Sequence, residues 1–205
     1  YGLDSYVSQG FVHDVPTSAV YAENMVKENL FYNDAAFLAQ TWKMLEEKQH
    51  ASKFAAQDEF ITALKAPREI RDASRKLAIR FLKLTLDLQY SPRCKNYLKK
   101  IQKGQLHGHY PVAFAMYAQF KGISQKDALT AFYYNTLNGI VTNCAKLVPI
   151  SQNEAQKILF RLQPLISELV EKQNDMDESL IGMCCIGQEI RSMQHEKQYS
   201  RLYIS

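Results

Sequence analysis

The apolar positions of this chain recur every three or four residues over most of its length, the spacing that puts side chains on one face of an α-helix. Residues 68–89 are the clearest case. Ile70, Ala73, Leu77, Phe81, Leu84 and Leu88 fall within an arc of about 80°, and Arg71, Arg75, Lys76, Arg80 and Lys83 fall outside it. This predicts a long amphipathic helix with an apolar stripe for the core and a basic outer face. Pro67 stands just before it, where a helix start tolerates proline. Upstream, Val20, Met25 and Leu30 lie in one candidate helix after Pro16-Thr17, and Phe37, Leu38, Trp42 and Leu45 in another over residues 33–51.

Residues 104–111 are rich in Gly and His and poor in helix signal, so they are the expected internal boundary or mobile loop. A short apolar helix follows over residues 112–120 and stops at Gly122. Ser124 with Asp127 reads as the N-cap and acidic third position of the next helix. That helix carries Leu129, Phe132, Tyr133, Leu137, Ile140, Val141, Cys144 and Leu147 on one side and ends at Pro149. Ser151-Gln152-Asn153-Glu154 fits a capping box and opens another at once. Its apolar face is Ile158, Leu159, Leu162, Ile166, Leu169 and Val170, with Pro164 expected to kink it. Strand alternation and repeats are absent. The expected fold is all-α: a single domain over residues 1–205, a helical bundle of about eight to ten helices. Aromatic residues exceed what one core stripe needs, which points to contacts between copies.

Composition narrows the function classes. At 46% hydrophobic and 22% charged residues the chain reads as an ordinary globular protein. A formal charge of +4 does not by itself imply nucleic acid. No apolar run approaches the roughly 18–20 residues that span a bilayer. The chain opens at Tyr1 with no Met and no charged-then-apolar leader, so the reading is of a stretch without a secretion signal that lacks the N-terminus of the full chain. Cys94, Cys144, Cys184 and Cys185 form no C-x-x-C pair, which suits a reducing cytoplasm. Cys184 and Cys185, beside Ile181, Met183 and Ile186, are expected in the core.

Candidate chemistry is sparse. His107 and His109, with Cys94 upstream, could bind a divalent ion, but a closed site needs three or four ligands. His195-Glu196 begins like a zinc helix, yet Tyr199 stands where the second His belongs. Arg93, Lys95, Lys99, Lys100 and Lys103 add to the basic face of residues 68–83, but no RRM, KH or zinc-finger signature accompanies them. P-loop, G-x-S-x-G and kinase signatures are absent, and nothing in the residues argues for an enzyme. Two alternatives stay open: a metal-binding helical protein using His107, His109 and a cysteine, and a basic helical binder of nucleic acid or a membrane surface.

The last eleven residues, from His195 through Ser205, run H-E-K-Q-Y-S-R-L-Y-I-S. They resemble the C-terminal signature H-E-x-x-Y-S-R-L-F/Y-x-S of the urease accessory protein UreF family. Tyr1-Gly2-Leu3-Asp4 resembles the family's S-[YF]-G-L-E segment, with Asp4 for Glu. Residues 143–152 resemble its basic-x-v-P-L-G-Q turn, and Gln156 follows as in the next G-Q pair; Ser151 and Ala155 replace the usual glycines. The SQN-x-x-QK form and the Y-S-R-L-Y ending look most like epsilonproteobacterial members. The resemblance implies a dimeric, all-helical, non-catalytic cytoplasmic protein. It would bridge the accessory protein UreH (also called UreD) and the GTPase UreG while nickel is delivered to apo-urease. No cofactor, nucleic acid or membrane is implied; nickel is handled by the complex rather than held by this chain. By residue-by-residue carry-over, His195, Glu196, Tyr199, Ser200, Arg201, Leu202 and Tyr203 are candidates for the UreH side. Lys146, Gln152 and Gln156 are candidates for the GTPase side, with Tyr134 readable there or as core.

Overall fold

Most helices in the computed structural model, which describes residues 2–196, start where a short polar side chain or a proline can open them. Asp14 and Thr17 form a capping box, Ser91 accepts from the Cys94 N–H, and Ser124 accepts from the Asp127 N–H. Ser151 and Glu154 form a second box. Each cap is worth about 1 kcal/mol. The described residues hold eleven α-helices and no strand: α1 (Leu3–Ser8), α2 (Val15–Asn24), α3 (Asp34–Glu46), α4 (Ala51–Leu64), α5 (Arg68–Leu88), α6 (Pro92–Gln102), α7 (Tyr110–Phe120), α8 (Gln125–Leu147), α9 (Gln152–Arg161), α10 (Gln163–Gln173) and α11 (Ile186–His195). A π-helical segment, Met25–Leu30, continues α2, and a 3-10 turn, Glu178–Leu180, precedes α11.

α3 is the central helix. Ala35, Ala36, Phe37, Leu38, Thr41, Trp42 and Leu45 are all buried, and the helix packs on α7, α8, α4 and α10. α7 meets it with Val112, Ala113, Ala115, Met116 and Ala118, mostly small side chains that let two backbones come close. α8 buries Leu129, Phe132, Tyr133, Leu137, Val141 and Cys144 of its expected face, while Ile140 and Leu147 stay half-buried.

The predicted α5 stripe is not the face that is buried. Leu77, Leu84 and Leu88 are 47%, 61% and 74% exposed, and the core side is Ala78, Leu82 and Thr85. Small residues there let α5 lie against α7, so close packing decides the orientation over raw apolar content. Phe81, at the edge of the stripe, turns into a ring cluster with Tyr110, Phe114 and Tyr117.

Three further expectations change. Val20 is exposed and Met25 half-buried, and α2 and the π segment bury Ala19, Ala22 and Val26 together with the expected Leu30. Pro164 does more than kink: α9 ends at Arg161 and α10 starts at Gln163, because proline has no N–H to give the carbonyl four residues back. Cys184 is exposed and Cys185 half-buried, outside the core that holds Cys94 and Cys144.

Residues 104–109 are the break between α6 and α7, but they are pinned. The buried Asp58 carboxylate accepts the N–H groups of His107 (2.6 Å) and Gly108 (2.8 Å), and the Tyr97 hydroxyl lies at 3.4 Å. Burial pushes the Asp58 carboxyl above its ordinary value, and the two backbone donors pull it back.

Candidate docking site

The two ends of the described chain meet. α1 lies on α11 and α11 on α5. Gly2 makes this contact possible: its φ is 72°, and a Cβ would sit 2.5 Å from Gln188 Nε2 and 3.0 Å from Ser192 Oγ. Leu3 is buried beside it, and the Ser5 hydroxyl donates to the Arg191 carbonyl at 3.2 Å. The Arg191 guanidinium covers the rings of Tyr6 (4.5 Å) and Phe11 (4.6 Å) and bonds Gln9.

His195 closes the junction. Its side chain is 7% exposed, with Nδ1 at 2.5 Å from Glu69 Oε2 and Nε2 at 3.3 Å from Asp4 Oδ2. The next residue, Glu196, accepts the Arg68 N–H at 3.1 Å and faces the Arg68 guanidinium at 3.4 Å. Pro67 provides no side-chain cap for α5, so Glu196 supplies one from across the fold and puts a carboxylate at the positive helix end. Both residues of the H-E pair are thus engaged by their own chain. Tyr199, Ser200, Arg201, Leu202 and Tyr203 lie outside the described residues. The described chain stops beside a cleft of about 520 Å³ between α1, α5, α8 and α11, lined in part by Leu3, Glu69, Ala73, Ile140 and His195.

The second candidate surface is the α8–α9 hairpin. Tyr134 is 43% exposed, whereas Phe132 and Tyr133 are buried, so Tyr134 is not core. Lys146 is exposed in the last turn of α8, and Gln152 and Gln156 are exposed one turn apart on α9. Phe160 continues the row at 74% exposure, a residue that sequence reasoning missed because one aromatic off an apolar face carries no periodic signal. Tyr134 and Lys146 lie about 120° apart around α8 and roughly 18 Å along it. The hairpin therefore gathers Lys146, Gln152 and Gln156 at one end and leaves Tyr134 apart.

His107, His109 and Cys94 do not converge. His109 is fully buried, with Nε2 at 2.8 Å from Thr62 Oγ1 and Nδ1 at 3.3 Å from Ser74 Oγ. Burial first, then the nearby charges of Lys65, His107, Arg75 and Arg71, bring its pKa down to about 3. His107 faces Glu59 at 3.3 Å, and Cys94 is buried in the first turn of α6, where its N–H donates to the Ser91 hydroxyl. Among the described residues no group of three or more His, Cys, Asp or Glu side chains is placed to hold a metal ion. None of the described helices is long and apolar enough to cross a membrane.

Comparison with known proteins reaches the same elements. A sequence model named UreF matches residues 12–163, from the approach to α2 through the start of α10. A urease accessory protein UreF of Haemophilus influenzae (strain PittGG) is 36% identical over 204 residues, covering 100% of this chain and 86% of the relative. That of Actinobacillus pleuropneumoniae is 35% identical over 100% of this chain and 89% of its own, and that of Arthrobacter sp. (strain FB24) 28% over 100% and 88%. The relatives extend the likeness past the matched core, through the α1–α11 junction and the tail, and on these grounds the chain belongs to the UreF family of urease accessory proteins.

Proposed function

We propose that this protein is a non-catalytic, cytoplasmic scaffold of urease maturation. It bridges a UreH/UreD-type accessory protein and a UreG-type GTPase while nickel is inserted into apo-urease. Nucleotide chemistry belongs to the GTPase, and nickel is the cargo of the assembly. The observation that carries the reading is that the two candidate surfaces stand on different elements. The described chain ends at Glu196 in the α1–α5–α11 junction, and the tail follows it in sequence, whereas Lys146, Gln152 and Gln156 are exposed on the α8–α9 hairpin, so two partners can be held together. The tail supplies Tyr199, Arg201, Leu202 and Tyr203, residue types common among interface anchors.

The scaffold works as a homodimer joined through α5. Leu77, Leu84 and Leu88 form an apolar stripe that the chain's own fold leaves exposed. Its flank carries both signs of charge, with Lys76, Arg80 and Lys83 beside Asp72 and Asp87, and such a face can complement a second copy of itself.

Co-expression with a UreH/UreD-type and a UreG-type protein, read by size exclusion with light scattering, tests the bridge. Removing residues 198–205 should release the UreH/UreD-type protein. Replacing Lys146, Gln152 and Gln156 together by Ala should release the GTPase and keep the other partner. A tail-deleted chain that still binds the UreH/UreD-type protein with unchanged affinity would sink the assignment.

A further inference from the structure

We infer that the outer half of α6 docks an acidic protein surface, and that its occupant in the proposed assembly is apo-urease, the partner that neither the tail nor the α8–α9 hairpin takes up. This rests on the scaffold reading and deepens it.

α6 buries Cys94, Tyr97, Leu98 and Ile101. Its outer half is left with Arg93, Lys95, Lys99, Lys100 and Lys103 and two neutral amides. No Asp or Glu occurs between Asp87 and Asp127, so the segment brings no carboxylate of its own. Lys95, Lys99 and Lys103 stand one turn apart, in a row about 12 Å long. Elsewhere cations are matched to carboxylates: Lys27 to Glu23, Lys43 to Glu178, Lys126 to Glu171 and Lys172 to Glu168. Around α6 the bonds go to neutral acceptors, Arg93 to the Gln119 carbonyl and Lys121 to that of Gln89, so the charge is not offset.

This charge works against the helix that carries it. The first turn holds no acidic residue, and Arg93 and Lys95 lie at the positive end of the helix dipole. The row from Lys95 to Lys103 sets like charges at the spacing where they repel. Lys99 and Lys100 alone suit their place, in the last turn. A local rule broken repeatedly without gain inside the fold marks a surface kept for something outside it.

The chemistry favours carboxylates on a protein over phosphates. Four of the five cations are lysines, point charges without the planar fork that grips a phosphate. The one ring of α6, Tyr97, lies in the core, so no base can stack on it. The outer half has no apolar side chain to enter a bilayer. A repeat of about 6 Å matches carboxylates spaced one turn apart on an acidic helix. α6 rests on α5 and α7, and its outer half belongs to neither of the other two candidate surfaces.

The test uses the full chain assembled with the UreH/UreD-type and UreG-type proteins, and apo-urease as the probe. Association rates are measured at low and at physiological salt. Lys95→Gln, Lys99→Gln and Lys103→Gln together should slow association by about tenfold at low salt and flatten its salt dependence. The melting temperature should hold or rise, because the repelling row is gone. Binding to the two accessory proteins should stay as in wild type. Lys99→Glu, at the centre of the row, should slow association by itself and serves if the triple variant does not fold. An unchanged rate in an intact assembly overturns the inference alone, as does a wild-type assembly that does not bind apo-urease. Release of either accessory protein by the triple variant gives the face to that protein and overturns it too. So does wild-type binding of a short DNA duplex, or of phosphatidylglycerol vesicles, at physiological salt that the triple variant loses. A wild-type chain that forms no assembly with the two accessory proteins overturns the scaffold reading, and the inference with it.

Discussion

His109 has the most to lose on mild acidification. Its neutral ring is bonded to Thr62 and Ser74, and its pKa lies near 3 in the fold against an ordinary 6.5. Between those values the unfolded chain binds a proton that the folded chain refuses. Stability from this residue is therefore complete above about pH 6.5 and falls as the pH drops toward about 3. Asp58, with its carboxyl raised by burial, acts in the opposite sense: its contribution is lost as pH rises through its raised folded-state pKa. Melts between about pH 7 and pH 5, with wild type and a His109 variant compared at each pH, isolate the histidine, since Asp58 is common to both. His109→Gln should be less stable by about 1–3 kcal/mol at pH 7, since it cannot serve both hydroxyls. Its deficit should shrink steadily toward pH 5. Parallel curves for variant and wild type would show that the ring does not carry this dependence. The two histidines of residues 107–109 looked equivalent in the sequence, because nothing local distinguishes a ring that will face Glu59 at the surface from one that will be enclosed.

Among the elements, the link from α6 to α7 is the sharpest case. Gly108 has φ 82°, and a Cβ there would sit 2.4 Å from Ile101 Cδ1 and 2.6 Å from Cγ1. Gly104 has φ 69° with nothing within 4 Å. Alanine at either position meets a backbone cost of about 1–2 kcal/mol. Only Gly108→Ala adds overpacking of about 1–3 kcal/mol and disturbs the N–H groups that Asp58 holds. Urea midpoints should therefore fall clearly further for Gly108→Ala than for Gly104→Ala; equal losses would mean that Ile101 gives way freely. The absence of helix here was legible from Gly and His content. That the segment is anchored rather than loose was not, because its anchor comes from α4, about fifty residues earlier.

For the whole molecule, the leucine stripe of α5 sets the next test. Leu77→Glu with Leu84→Glu should leave the fold nearly intact, since neither side chain belongs to the core. At micromolar protein it should convert a dimeric wild type to a monomer by light scattering. A wild type that is monomeric independent of concentration, or a double variant that stays dimeric, removes α5 as the shared face. A stripe of this kind reads identically from sequence whether its cover is the chain's own core or a second chain, since helical periodicity reports only that some apolar partner exists.

Local physics was enough for most elements: apolar spacing marked most helices, and short polar caps marked the starts of α8 and α9, because both signals act within a turn or two. The sequence also carried the family likeness in its two end motifs and the turn before α9. α1 and α4 carried too little periodicity to be read, and α4 has no side-chain cap to mark its start. Tertiary structure alone decided which side of α5 faces inward, which histidine is enclosed, and what His195 and Glu196 do. Those outcomes depend on side chains from Asp4, Asp58 and Glu69 arriving across 50 to 191 residues of chain. Only packing brings such groups into range, and no local pattern records where they arrive.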